Sequence, residues 1–577
     1  MLRTAVIDAL TAALGADAPP AAELERTLAV PPDPELGDLA FGCFPIAKRL
    51  RRSPVDVAKE LAATLSAALP AGGMIRRVEP AGPYLNFHAD PAALLSATVR
   101  AVADGSLFAQ AHTDQPQKLM IEFSQPNTHK PFHVGHLRNV AIGDSLVRIQ
   151  RARGHTVVSA NYFGDFGIDV AKCLWWLNTH PELVAPNEGR TAWLGAAYIA
   201  ANDAVARAEG DDEAATQRKA RAFAEVREVL HAMERQEGAV WSQYQQTRQW
   251  CLDEFDETYR WLDTGFDVVF YESQVEGPAA AIVDEYVRRG VFTVSEGATV
   301  CELQPDLDVP AMVRKSDGTS LYLTWDLALA KRKFDEYDIE RSLYVVGSEQ
   351  KFHFRQLFLT LQRMGYDRAK DCEHVAYELV VLPEGKMSSR KGTAIPLHLL
   401  RQEVTTAITP RVEGGDAETV RRIAVACVKY GMLKVGTTKR VVFAIDGWTN
   451  PEGDTGAYLL YVVARIRSIF RRIGEDVTLA DGVGPVAAFG APEERAIVNH
   501  LLRFPAAVER AATTSDPSVI AGWLSEGARM FNRFYDACTV KDAEPDLRRA
   551  RLALLRASDV VMTRALDLLG ITAVDAM

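Results

Sequence analysis

Residues 118 to 160 admit few folds. Leu119-Met120-Ile121-Glu122-Phe123 is a short apolar run of the kind that a parallel strand, buried on both faces, requires. A polar loop with Pro126 and Pro131 follows, then an amphipathic stretch from about Gly135 to Arg153 that Gly154 ends. Thr156-Val157-Val158-Ser159-Ala160 is the next strand. Strand, helix and strand in this order begin a doubly wound α/β sheet, whose ligand belongs at the carboxyl end of the first strand. His133-Val134-Gly135-His136 lies there: two histidines at the mouth of a helix, with a glycine that lets a nucleotide approach the backbone.

Far downstream, after another predicted strand, comes the cation-rich loop Lys386-Met387-Ser388-Ser389-Arg390-Lys391-Gly392. The two motifs together imply a site that polarises ATP at its α-phosphate and neutralises departing pyrophosphate. Further strands are predicted at 267–271, 298–303, 312–323, 343–346 and 375–382, with Ser316-Asp317-Gly318-Thr319 as a hairpin turn. The stretch 180–265 is rich in Ala, Glu, Arg and Gln at helical spacing and interrupts the strands. The fold class is therefore α/β: a Rossmann-like domain over 118–395, split by an insertion at about 180–310. Residues 1–112 read as a separate α/β domain, with Ser53-Pro54 and Asp90-Pro91 as helix N-caps. From 396 onward no strand is predicted; 396–450 reads as a helical connection and 451–577 as an all-helical bundle.

Composition excludes some classes. A chain of 577 residues can hold several cores. No apolar run approaches the roughly 18 residues that span a bilayer, and Met1 to Asp8 lacks a signal-peptide apolar region, so a cytoplasmic location is expected. Seven cysteines without a Cys-x-x-Cys pair argue against a disulfide framework or zinc cluster, and no structural metal is expected. The net charge of −11 opposes long-range attraction to polyanions, but nucleic acid is held by local patches. Lys48 to Arg52, Arg465 to Arg472 and Arg548 to Arg556 are candidates, though each taken singly reads more readily as a solvated helix face.

The chain resembles class I aminoacyl-tRNA synthetases and, within them, the arginyl-tRNA synthetase family over nearly its whole length. Glu122 to His136 is similar to that family's extended first signature, and Leu321-Tyr322-Leu323-Thr324-Trp325-Asp326 to its amino-acid pocket segment. Gly453 to Tyr458, Phe531 to Tyr535 and the ending at Met577 resemble its anticodon-domain segments. The resemblance implies ATP-dependent ligation of L-arginine to tRNA through an adenylate, with Mg2+ accompanying ATP and a monomeric enzyme.

By resemblance, His133, His136, Lys386, Ser388, Arg390 and Lys391 are catalytic, and His133, Gly135, His136, Met387 and Ser388 hold ATP. One departure matters. Ser389 stands where class I loops carry a second lysine, and Lys130, just ahead of the histidines, is the implied substitute for that charge. Its plainer reading is a surface lysine.

A guanidinium is a permanently charged planar fork, so a selective pocket wants carboxylates. Glu122 and Asp326 are the acidic candidates by resemblance, with Tyr322 on the guanidinium plane and Asn127 and Gln350 at the α-amino and carboxylate end. For tRNA, the resemblance implies Tyr84 and Asn86 at the elbow, Tyr535 and Met577 around an anticodon base, and Arg465, with Arg467 and Arg472, on phosphates. A cysteine-specific relative would want a zinc site, a glutamate-specific one cations in the pocket, and an idle RNA-binding relative would not need both motifs.

Overall fold

The computed structural model describes all residues except 34–35, 71, 207–209, 317, 320, 383–384, 387–394, 413–414, 476, 484–485 and 487. The chain forms two compact units, the larger comprising 111–464, 506–525 and 563–577 and the smaller 1–110, 465–505 and 526–562. The segment 451–577, read from sequence as one bundle, is thus shared between them.

The larger unit is built on a five-stranded parallel sheet. Its strands are β1 (Lys118–Glu122), β2 (Thr156–Phe163), β3 (Val268–Tyr271), β4 (Arg341–Gly347) and β5 (Cys372–Tyr377), in the order β5-β4-β1-β2-β3. Leu119, Met120 and Ile121 have no exposed surface, as a central strand between helical layers demands. The crossover helix α1 (Val134–Ala152) crowds the sheet so closely at Gly143 that a Cβ would lie 2.1 Å from the Phe123 ring. The strand order reverses between β1 and β4, so the crevice at their carboxyl ends is the topological switch point.

Three expectations are corrected. Val268–Tyr271, predicted as a strand but placed within the 180–310 insertion, is the edge strand β3 of the main sheet, because its Val-Val-Phe-Tyr run pairs with β2. The sheet is therefore interrupted twice, by helices between Ile168 and Trp261 and then by a small antiparallel sheet of Phe292–Ser295, Ala298–Cys301 and Ala311–Arg314. Residues 312–323 are not one strand of a hairpin. Pairing ends at Arg314, and Tyr322 opens the helix α2 (Tyr322–Tyr337), whose Leu323, Leu327 and Ala330 pack inward at helical spacing. Val441–Val442 is a strand beyond 396, paired in parallel with Val380–Leu382 in a separate small sheet; two residues are too few for a sequence pattern.

A buried ion pair closes this unit. Lys429 Nζ, in the helix Ala417–Leu433, donates to Asp144 Oδ2 of α1 at 2.8 Å and to the Gly570 carbonyl at 2.9 Å. Gly570 has φ +66°, and a Cβ there would sit 2.2 Å from the Asp144 oxygen.

In the smaller unit, Leu28–Ala29, Leu39–Gly42, Tyr84–Ala89 and Ile75–Ala81 form an antiparallel sheet in that order. Asp90 caps the helix Pro91–Ala103 through Ala93 N, 2.8 Å; Ser53 heads Pro54–Ala68 without a side-chain cap. The helix Gly456–Ile473, divided between the units after Ala464, buries Leu459, Leu460, Val463, Ile466 and Phe470, apolar residues at helical spacing.

Candidate active site

The loop after β1 is held in an unusual shape. Ser124, Gln125 and His129 all have positive φ, a cost for non-glycine residues that surrounding bonds must offset. Ser124 N donates to Asn139 Oδ1 at 2.6 Å and Gln125 N to Asn161 Oδ1 at 3.1 Å. The His129 ring is buried between the Thr128 and Thr247 hydroxyls, 3.0 and 2.8 Å away, and burial pushes it down to about 3, so it is neutral. Gly164 lies against Asn127, where a Cβ would strike the amide oxygen at 2.1 Å.

At the end of this loop, His133 caps α1 and forms a reciprocal capping box with His136. Gly135 N donates to His133 Nδ1 at 3.1 Å, and His133 N donates to His136 Nδ1 at 3.2 Å. Both Nδ1 atoms accept, so each neutral ring carries its proton on Nε2. The rings stack 3.9 Å apart. Burial pushes His133 down to about 4; burial, with the charges of His133 and Lys130, holds His136 well below the usual range. The result is a pair of uncharged N–H donors at a helix N-terminus, a setting suited to phosphate oxygens. Gly135 has a nearer task than nucleotide approach: a Cβ there would lie 2.9 Å from the His133 ring.

Met387, Ser388, Ser389, Arg390 and Lys391 lie outside the described residues, as does the Lys386 side chain. The described ends of that segment are anchored. Lys386 pairs through its backbone with Val381. On the other side, Val134 N donates to Ile395 O at 3.1 Å and Leu397 N to Phe132 O at 2.9 Å, so backbone bonds join the two motifs. Arg138, fully buried on α1, donates to the carbonyls of Glu378, Lys439 and Gly436 at 2.6, 2.8 and 3.1 Å. Those carbonyls flank the strands Val380–Leu382 and Val441–Val442, the first of which also pairs with Lys386 at the start of the second motif.

Carboxylates gather at the carboxyl ends of the strands. Glu122 ends β1, Asp165 follows β2, Glu272 follows β3, and Asp326 lies one turn into α2. Burial first, then the charges of Asp326, Glu272, Glu122 and Asp165, drive the Tyr162 hydroxyl well above its ordinary value. Asp326 and Glu122 also bear on Tyr344. The two acids read from sequence therefore act on the same two tyrosines, Tyr162 and Tyr344. Glu122 is already engaged, in a buried ion pair with Lys333, whose ammonium sits 3.8 Å over the Tyr344 ring. Asp326 Oδ2 accepts from His353 Nε2 at 2.6 Å. Asp165 is satisfied by Arg248, Tyr244 and Ser273.

Sequence reasoning missed Glu272. Its carboxyl is buried, and burial followed by the Asp165 and Asp326 charges raises it well above the ordinary value. Nothing local marks it; it enters the site only because β3 pairs with β2. Tyr322 is exposed at the rim, edge-on to Trp325 at 5.3 Å, and Gln350 is exposed in the short turn after β4. Lys130 Nζ donates to Asp169 Oδ2 at 2.7 Å. Among the described residues, no group of three or more His, Cys, Asp or Glu could hold a metal ion.

In the smaller unit Tyr84 is 45% exposed, with Phe44 edge-on at 5.7 Å, whereas Asn86 is 6% exposed. Tyr84 is the member of that pair that the surface presents. Arg465 lies 3.8 Å over the Tyr535 ring. Arg467 faces Asp559 at 3.0 Å rather than a free surface. Met577 belongs to the larger unit.

Comparison with known proteins gives three family matches. Residues 98–444 match the class I tRNA synthetase (R) catalytic domain, 459–577 the DALR anticodon-binding domain, and 1–89 the arginyl-tRNA synthetase N-terminal domain. The arginine–tRNA ligase of Bdellovibrio bacteriovorus is 36% identical, with 96% of this chain and 95% of that protein covered. That of Treponema pallidum is 33% identical, with 100% and 99% covered. Among solved structures, the arginyl-tRNA synthetase of Thermus thermophilus superposes with a TM-score of 0.78 at 26% identity, covering 100% of both chains.

Proposed function

The chain belongs to the arginyl-tRNA synthetases, a class I family, and from that premise we propose how its own residues divide the work. The protein ligates L-arginine to tRNA through an arginyl-adenylate, using ATP. In the first step the arginine carboxylate attacks the α-phosphorus of ATP and pyrophosphate leaves. In the second, a terminal ribose hydroxyl of the tRNA takes the arginyl group and AMP leaves.

Phosphoryl chemistry of this kind asks the protein for positioning and charge stabilisation. The Nε2 donors of His133 and His136 serve the phosphate oxygens, with Gly135 keeping the rings in place. Lys130, with Lys386, Ser388, Arg390 and Lys391 of the second motif, answers the charge of pyrophosphate, and Met387 and Ser388 border the nucleotide. Magnesium enters as the counter-ion of the triphosphate, which supplies its own oxygen ligands.

Arginine lies with its guanidinium toward Asp326 and Glu272, Tyr322 at the rim, and Asn127 and Gln350 toward its α-amino and carboxylate groups. Glu122, neutralised by Lys333, supplies no free charge there. Tyr84 and Asn86 of the 1–112 segment, and Arg465, Tyr535 and Met577 of the 451–577 segment, are each assigned to tRNA, with 396–450 as the connection between the catalytic and anticodon-binding segments. No described helix is long and apolar enough to cross a membrane; a cytoplasmic monomer completes the reading.

The gathering of carboxylates around Tyr162, beside two neutral histidines, carries the assignment of amino acid. Pyrophosphate exchange with a panel of amino acids tests it: arginine with tRNA should support exchange, while lysine and glutamate should not. Exchange driven by lysine or glutamate would overturn it.

A further inference from the structure

Lys130 can neutralise phosphate charge only if its ammonium is held in place. A lysine has four rotatable bonds, and an ammonium left free would spend little time on one phosphate oxygen. Here the first two helices of the insertion fix it. Asp169, in the first turn of Ile168–Thr179, accepts from Lys130 through Oδ2 at 2.7 Å and from Lys172 through Oδ1 at 3.1 Å. Lys172 is tied in turn to Asn202 Oδ1 at 3.2 Å on the next helix, Arg190–Val205. Tyr198 of that helix places its ring under the Lys130 ammonium, 5.0 Å from its centroid. Gly195, one turn earlier, lets the helix touch the loop; a Cβ would lie 2.8 Å from Pro131.

The charges suit this task. One carboxylate shared by two ammonium groups leaves a net positive charge, so Lys130 is held without being cancelled. Burial would raise the Asp169 carboxyl, but the Lys130 and Lys172 charges outweigh it and keep it below its ordinary value. Lys130 stands three residues before His133 in the same loop, and its charge bears on His136 and on Glu272.

We propose that Asp169 is the positioning residue for Lys130, and that the helical insertion serves as the platform aiming this cation at the phosphates. The inference rests on Lys130 being the cation that answers phosphate charge.

A double-mutant cycle on the full-length enzyme tests it, using arginine- and tRNA-dependent pyrophosphate exchange. Asp169→Asn should lower kcat roughly 10- to 100-fold, the scale of a misplaced catalytic group, while KM for arginine moves less than about twofold. In the Lys130→Ala background the same substitution should add nothing, and Asp169→Glu should recover most of the loss. Multiplying losses in the double variant, or a near-wild-type Asp169→Asn, overturns the inference. An impaired Lys130→Ala with an unaffected Asp169→Asn strikes this proposal alone. A fully active Lys130→Ala strikes the assignment of Lys130 and takes this inference with it. Should Asp169→Asn fold poorly, the cycle of Tyr198→Leu with Lys130→Ala reads the same coupling from the platform's other contact, and independence there also overturns the proposal.

Discussion

His353 Nε2 lies 2.6 Å from Asp326 Oδ2, so the carboxylate proposed to face the arginine guanidinium is already paired with a side chain that can be charged or neutral. Burial acts to lower the imidazole, and the hydrogen bond and charge of Asp326 outweigh it, so His353 titrates above its ordinary value. Glu272 is also raised, by burial and then by the Asp165 and Asp326 charges. A guanidinium entering this cluster favours the deprotonated form of both groups. Arginine binding should therefore release protons, and KM for arginine should fall as pH rises through the raised His353 range. Calorimetry in two buffers of different ionisation enthalpy measures the release. His353→Gln should flatten the KM profile; an unchanged profile would remove His353 from the account.

The linkage has the same sign for folding. The His353–Asp326 pair adds stability that is fully present below the unfolded imidazole value of about 6.5 and is lost as pH rises through the raised folded value.

The histidine pair should behave oppositely. His133, pushed down to about 4, and His136 are neutral through the physiological range, so neither should create a limb in the exchange profile between about pH 5.5 and 8. His136→Ala removes one Nε2 donor and should cost about 3–4 kcal/mol of transition-state stabilisation, read as a fall in kcat for exchange.

Lys429 is a structural matter. Deleting its ammonium in Lys429→Met leaves Asp144 buried against Arg148 alone and the Gly570 carbonyl without its donor. A loss of roughly 3–5 kcal/mol is expected, seen as a lower urea midpoint. A midpoint unchanged within error would mean that the pair is not coupled to folding.

Tyr84→Ala should raise KM for tRNA by the equivalent of roughly 1–3 kcal/mol, the scale of one lost stacking contact. Aminoacylation at saturating tRNA should be unaffected. Loss of kcat instead would place Tyr84 in folding rather than binding.

The first crossover and its histidines were legible because they are local: one apolar strand, one amphipathic helix and a motif between them. Asp326 and Tyr322 were found only through resemblance, and their strand-like neighbourhood was misread, since Leu321 to Leu323 is apolar whether it ends a strand or opens a helix. Glu272 and Asp165 were invisible for a different reason. They converge through the parallel pairing of β2 and β3, strands separated by about a hundred residues of insertion, and no sequence period encodes that pairing. Lys333 hid in a helix interior, where a lysine ordinarily faces water; only the buried Glu122 opposite it explains its place.

Charge-matched selection by the carboxylate of Asp326 is tested most directly by equilibrium binding of arginine to the wild-type enzyme and to Asp326→Asn. The carboxamide keeps the shape and removes the charge. The account predicts that arginine binding weakens by roughly two orders of magnitude, the 1.5–3 kcal/mol of a charged hydrogen bond at its upper end, while ATP binding is preserved. Arginine held as tightly by Asp326→Asn as by the wild type would contradict it.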